Sequence, residues 1–227
     1  LGLPPDGLDA FPLVGANRDR PNRPSVTFPE TDATGKVLGI LERFKDKAAG
    51  KKVMKGGKRG LTFPVGWRDR PGPVFVVEGP TDTAALTAAG LAAVGRPSNT
   101  GGAVLLADLF ADLDDGRAVV VLGENDRKTN GDWPGQKGIE VITPALARTL
   151  RRPVLTAFPP DGSKVVREWL TSADRGEAPW PDRGRELADH LTATAEAVEP
   201  PPDHDPGPVR IAIDTAAHRV NAEAAAA

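Results

Sequence analysis

The segment Ala118–Leu122 reads Ala-Val-Val-Val-Leu, and this unbroken apolar run constrains the fold more than any other feature of the chain. A strand with one wet face alternates apolar and polar residues, whereas a β-branched run without a polar break suits a strand buried on both faces. Such burial requires helices on both sides of a mostly parallel sheet. The flanking sequence supplies them. Pro73–Val77, Leu91–Val94 and Val154–Phe158 read as further strands, and between them lie helix-like segments. Thr81–Ala89 is Ala-rich and stops at Gly90, Ala103–Leu113 stops at Asp115-Gly116, and Ile139, Ile142, Leu146 and Leu150 recur at helical spacing. Val165, Val166, Trp169 and Leu170 mark one face of a later helix. The pattern predicts an α/β fold with right-handed crossovers.

Upstream, Ser25–Pro29, Lys36–Phe44 and Leu61–Val65 read as short strands of a small β-rich lobe, with Asp32-Ala33-Thr34-Gly35 as a hairpin turn. Nine basic residues against two acidic ones between Lys36 and Arg59 give this lobe a local charge of +7, although the whole chain carries only −2. A basic lobe beside an acidic body suits a track for phosphates, bound in a salt-dependent and sequence-tolerant way. The divisions expected are an irregular opening segment and basic lobe over 1–70, the α/β core over 71–175 and a helical segment over 176–199. A Pro/Asp linker over 200–208 and the start of a further element over 209–227 follow. Beginning at Leu1 rather than Met, the chain reads as a fragment of a longer one.

Cysteine is absent and the three histidines are scattered, which excludes a disulfide framework and a cysteine zinc ribbon. No apolar run approaches the roughly 20 residues of a membrane span. The expectation is a cytoplasmic protein.

Two motifs carry the chemistry. In Val76-Val77-Glu78-Gly79-Pro80-Thr81-Asp82, Glu78 ends a strand, Gly79 permits a sharp turn and Pro80 suits the first helical position. Asp82 then lies in the first helical turn, where the helix dipole favours an anion. In Val121-Leu122-Gly123-Glu124-Asn125-Asp126-Arg127-Lys128, Glu124 and Asp126 follow the most apolar strand and are two residues apart. In open parallel sheets, sites form beyond the carboxyl ends of strands. Should the two strands adjoin, four carboxylates would converge, and two unit charges 4 Å apart repel by about 4 kcal/mol at an effective dielectric of about 20. Cations or protons must relieve that repulsion. An all-oxygen donor set with open positions suits Mg²⁺ or Mn²⁺. Trp133 stands in a loop at the edge of the site, and Ser98-Asn99-Thr100-Gly101-Gly102 opens a helix after the second strand.

Glu78-Gly79-x-x-Asp82 followed by an acidic-x-acidic turn after a later strand resembles the Toprim domain, shared by bacterial-type primases, topoisomerases and some nucleases. The basic stretch Lys52-Val53-Met54-Lys55-Gly56-Gly57-Lys58-Arg59, with Gly35–Gly39 and Arg43 before it, is similar to the N-terminal lobe of the catalytic core of bacterial and phage primases. The match covers about residues 25–172. The resemblance implies a Toprim, Rossmann-like sheet. It assigns Glu78 as general acid/base, and Glu78, Asp82, Glu124 and Asp126 as ligands of Mg²⁺ or Mn²⁺. It assigns Arg43, Lys52, Lys55, Lys58, Arg59 and Lys128 to template and nucleotide. Its implied partners are single-stranded DNA, nucleoside triphosphates and neighbouring replication domains such as a helicase. The implied activity is nucleotidyl transfer of the DNA-primase type. The alternatives are a non-catalytic nucleic-acid-binding module of a larger replication protein, or a Toprim nuclease. The sequence departs from the pattern at Glu124, usually Asp, and at Val165, where an acid is expected after the fourth strand.

Overall fold

The computed structural model describes residues 2–4, 6–11, 14–16, 22, 24–113 and 116–202. The further element expected over 209–227 lies outside the described residues. A short helix α1 (Asp6–Asp9) leads into an antiparallel sheet of β1 (Gly15–Ala16), β2 (Ser25–Thr31), β3 (Val37–Phe44) and β4 (Lys51–Val53), in that order. The β2–β3 turn forms because the Asp32 carboxylate accepts from the backbone N–H of Thr34 at 2.9 Å and of Lys36 at 3.1 Å. The basic stretch after Gly50, which carries no strand-like alternation, nevertheless pairs as β4, with Leu41 opposite Val53 and Arg43 opposite Lys51. The strand expected over Leu61–Val65 is reduced to two bridges, Leu61 to Thr31 and Thr62 to Gly95, which tie the lobe to the edge of the second sheet.

That second sheet has the order β6-β5-β7-β8-β9. It comprises β5 (Val74–Glu78), β6 (Ala92–Arg96), β7 (Val119–Leu122), β8 (Val154–Ala157) and β9 (Glu196–Val198). The first four are parallel, and β9 runs antiparallel to β8. The helices are α2 (Pro80–Ala88), α3 (Ala103–Phe110), α4 (Pro134–Leu150), α5 (Val166–Thr171) and α6 (Trp180–Ala193). The period-2 geometry of strands divides the apolar runs cleanly. Val74, Val76, Val119 and Val121 pack with Leu106, Phe110, Ile142 and Leu146 of α3 and α4. Phe75, Val77, Val120 and Leu122 pack with Leu86, Trp169, Leu170, Leu187 and Leu191 of α2, α5 and α6. Both faces of β5 and β7 are therefore covered, as the Val119-Val120-Val121 run predicts. The helical segment expected over 176–199 holds α6 followed by β9, which extends the sheet.

Strand order reverses at β5, whose crossover through α2 places β6 on one side while β7 lies on the other. At such a switch point the following segments part and leave a crevice beyond the strand ends.

Candidate functional site at the carboxyl ends of two adjoining strands

The crevice is lined by Val77, Glu78, Asp82, Leu122, Gly123, Glu124, Val165 and Val166. Three of the four predicted acids thus share one cleft. Glu78 arrives at the end of β5, and Gly79, with φ 76°, makes the left-handed turn that starts α2 directly behind it. Glu124 follows β7. Its backbone is fixed by the indole N–H of Trp133, which donates to the Glu124 carbonyl at 2.8 Å. Trp133 also packs on Phe158 with ring centroids 4.8 Å apart, so it anchors the loop. Gly135 is required beside it, because a Cβ there would overlap the Glu124 backbone.

Asp126 is absent from the cleft lining. Its carboxylate turns to the start of α4 and accepts from the Gly135 N–H at 2.8 Å. It satisfies an otherwise unpaired helix-terminal donor, a favourable place for an anion. Asp82 is buried in the first turn of α2. It accepts from the Arg167 N–H at 3.2 Å and from the Thr81 hydroxyl at 3.4 Å. Burial pushes its carboxyl up from the ordinary value, and the charges of Arg167 and Arg43 partly oppose this.

Each cleft glutamate has a lysine partner. The Lys51 ammonium, from the lobe strand β4, stands 3.4 Å from Glu78, and the Lys164 ammonium stands 3.4 Å from Glu124. Burial and the nearby charge of Glu78 push the Glu124 carboxyl up, against the pull of Lys164. Beneath both lies Arg96 at the end of β6, fully buried. It donates to the Leu122 carbonyl at 3.1 Å and to the Asn99 carbonyl at 3.1 Å. Burial lowers its pKa, while the charges of Glu78 and Glu124 raise it. Asn99 in turn donates to the Pro134 carbonyl, so the Ser98–Gly102 loop braces Arg96 and α4.

The other predicted contacts disperse. Arg43 lies near Asp82 and Arg167, where burial lowers its pKa. Arg59 pairs with the buried Glu30 at 2.7 Å. Lys128 pairs with Asp132 at 2.7 Å, beside Lys137 at 2.5 Å, and feels Asp126 only as a weaker charge. Lys52, Lys55 and Lys58 are exposed on the lobe. Sequence reasoning did not single out Arg96, Lys51 or Lys164 as site residues, and it named Asn99 only as part of the loop that opens a helix after the second strand. Lys164, which precedes the departing Val165, offered the only local signal.

A divalent ion needs several oxygen donors converging on one point. Among the described residues, no group of three or more His, Cys, Asp or Glu side chains is arranged to hold one. Asp126 is committed to a helix terminus, and the wall beside Glu124 is the apolar Val165. The arrangement does not fit a protein-built metal centre.

Solved primase cores share this architecture. The DnaG primase catalytic domain bound to ssDNA aligns with a TM-score of 0.50 and 19% identity, over 84% of this chain and 58% of that one. The DnaG catalytic core aligns with a TM-score of 0.50 and 19% identity, over 82% and 69%. A DNA primase domain from Pseudomonas aeruginosa aligns over 84% and 59%, with 18% identity and a TM-score of 0.49. No protein-family model matches the sequence, and no curated protein matches it significantly. In fold, the chain resembles the catalytic core of DnaG-type primases. It spans 58% of the length of the ssDNA-bound catalytic domain.

Proposed function

We propose that this chain is a primase-like Toprim module that binds single-stranded nucleic acid for a cytoplasmic replication protein. The observation that carries the reading is Lys51 of the basic lobe reaching Glu78 of the core at 3.4 Å. That contact makes the lobe and the switch-point crevice one continuous face. A flexible single strand can follow a basic track into a crevice, and its phosphates pair with exposed lysines without base-specific readout. The primase cores of like fold, one of them solved with ssDNA, support this choice of partner.

A second reading is template-directed nucleotidyl transfer, with nucleoside triphosphates as substrates and Glu78 as acid/base. It is favoured by Glu78 and Glu124 lying at one rim, and it requires both to exchange their lysines for Mg²⁺ or Mn²⁺. One experiment separates the two. Labelled oligonucleotides are titrated by fluorescence anisotropy, and the same samples are incubated with ribonucleotides and either ion. Binding of single strands in preference to duplex, without primer synthesis, is expected. Failure to bind single strands sinks the module reading, and synthesis that is lost in Glu78→Ala establishes the second.

A further inference from the structure

The cleft holds three acids but is ringed by five basic residues. Glu78, Asp82 and Glu124 line it. Lys51 and Lys164 pair with the two glutamates, Arg96 lies beneath them, and Arg43 and Arg167 act on Asp82. These cations come from separate parts of the chain: β3, β4, the end of β6 and the segment that opens α5. A buried arginine still keeps its charge near neutral pH, because the guanidinium is too strong a base to be deprotonated in a protein. Arg96 therefore places a permanent positive charge where a cation shared by Glu78 and Glu124 would be repelled. Val165 supplies hydrocarbon on the remaining wall, where an ion would need another oxygen.

We infer that the Glu78–Glu124 pair takes its counter-charge from Lys51, Lys164 and Arg96, so that the cleft works without a divalent ion. This rests on the nucleic-acid-binding reading, and its consequence is that single-stranded DNA binds equally well with or without free divalent ions. The two lysines are the replaceable part of the arrangement, being 45% and 52% exposed, whereas Arg96 has no exposure and cannot withdraw.

The test is a Mn²⁺ titration followed by electron paramagnetic resonance of the free ion, run on the full chain and on the double variant Lys51→Ala/Lys164→Ala. Both positions are exposed, so the variant retains the fold, which circular dichroism checks. The wild type is expected to show no stoichiometric site. The double variant is expected to gain Mn²⁺ affinity by about tenfold, the effect of roughly 1.4 kcal/mol of lost competition. In parallel, anisotropy at matched ionic strength should give single-strand affinities that agree within about twofold with EDTA and with Mg²⁺. A stoichiometric wild-type Mn²⁺ site that disappears in Glu124→Gln overturns the inference. So does a double variant that binds Mn²⁺ no better than the wild type. Absence of single-strand binding in every buffer would instead refute the module reading and leave the ion result standing.

Discussion

Asp132 shows how a single residue can redirect a predicted contact. It accepts from Lys128 at 2.7 Å and from Lys137 at 2.5 Å, and these two hydrogen bonds hold its carboxyl down to about 2, from an ordinary 3.8. A depressed folded-state value means that the ionised form is favoured by folding. Its contribution is complete above 3.8 and is lost as the pH falls through about 2. Carboxylate NMR should find the Asp132 midpoint near 2, and Lys128→Ala should move it upward. A midpoint unchanged by that substitution would show that Lys128 is not held there. The same logic explains which side chains were legible. Glu78 and Glu124 could be found because strand ends in a parallel sheet declare themselves through apolar runs and a glycine turn. Arg96 could not. A buried arginine has no sequence signature, and its strand reads as ending at Val94, two residues before the guanidinium that governs the charge of the site. Asp126 was read as a partner of Glu124 from their spacing alone. Its Oδ1 accepts from the Gly135 N–H at the start of α4 instead.

At the scale of elements, burial patterns decide what sequence patterns reveal. The strands β5, β7 and β8 and the helices α2 to α5 were legible because each packs a continuous apolar face on a neighbour. The edge strands β4 and β9 were not. β4 reads Lys-Lys-Val and β9 reads Glu-Ala-Val, short segments whose pairing is set by partners distant in sequence. The helix α6 begins at Trp180, inside the helical segment expected over 176–199, and Pro181 lies in its first turn. Its close approach to the core depends on Gly184, where a Cβ would collide with the carbonyl oxygen of Ala89 at the end of α2. Overpacking of this kind costs about 1–3 kcal/mol. Gly184→Ala should lower the unfolding free energy by that amount, seen as a lower denaturant midpoint with an unchanged slope. A variant as stable as the wild type would mean that α6 does not sit on α2 as described.

Across the whole molecule, the basic residues divide between those that hold the structure together and those that remain on the surface. Arg59 belongs to the first group: Glu30 is fully buried and takes its countercharge from Arg59, so Arg59→Ala leaves a buried carboxylate without its ionic partner. Removing one member of a buried pair is among the costly single changes. Lys52, Lys55 and Lys58 belong to the second group, exposed along the lobe that leads to the cleft. The charge of +7 between Lys36 and Arg59, set in a chain of net −2, was visible in the sequence, but composition could not separate the two groups. Affinity for a single strand falls by about 0.7 logarithmic units per phosphate neutralised for each tenfold rise in salt. If these three lysines form the track, Lys52→Ala/Lys55→Ala/Lys58→Ala should reduce the salt slope of binding by about 2 while leaving the melting temperature in place. Arg59→Ala should do the reverse, lowering the melting temperature and sparing most of the slope. Anisotropy titrations over a salt series, paired with thermal melts, read both quantities on the same samples. An unchanged slope in the triple lysine variant would mean that the strand reaches the crevice by another face, and the lobe's charge would then serve only to keep that surface hydrated.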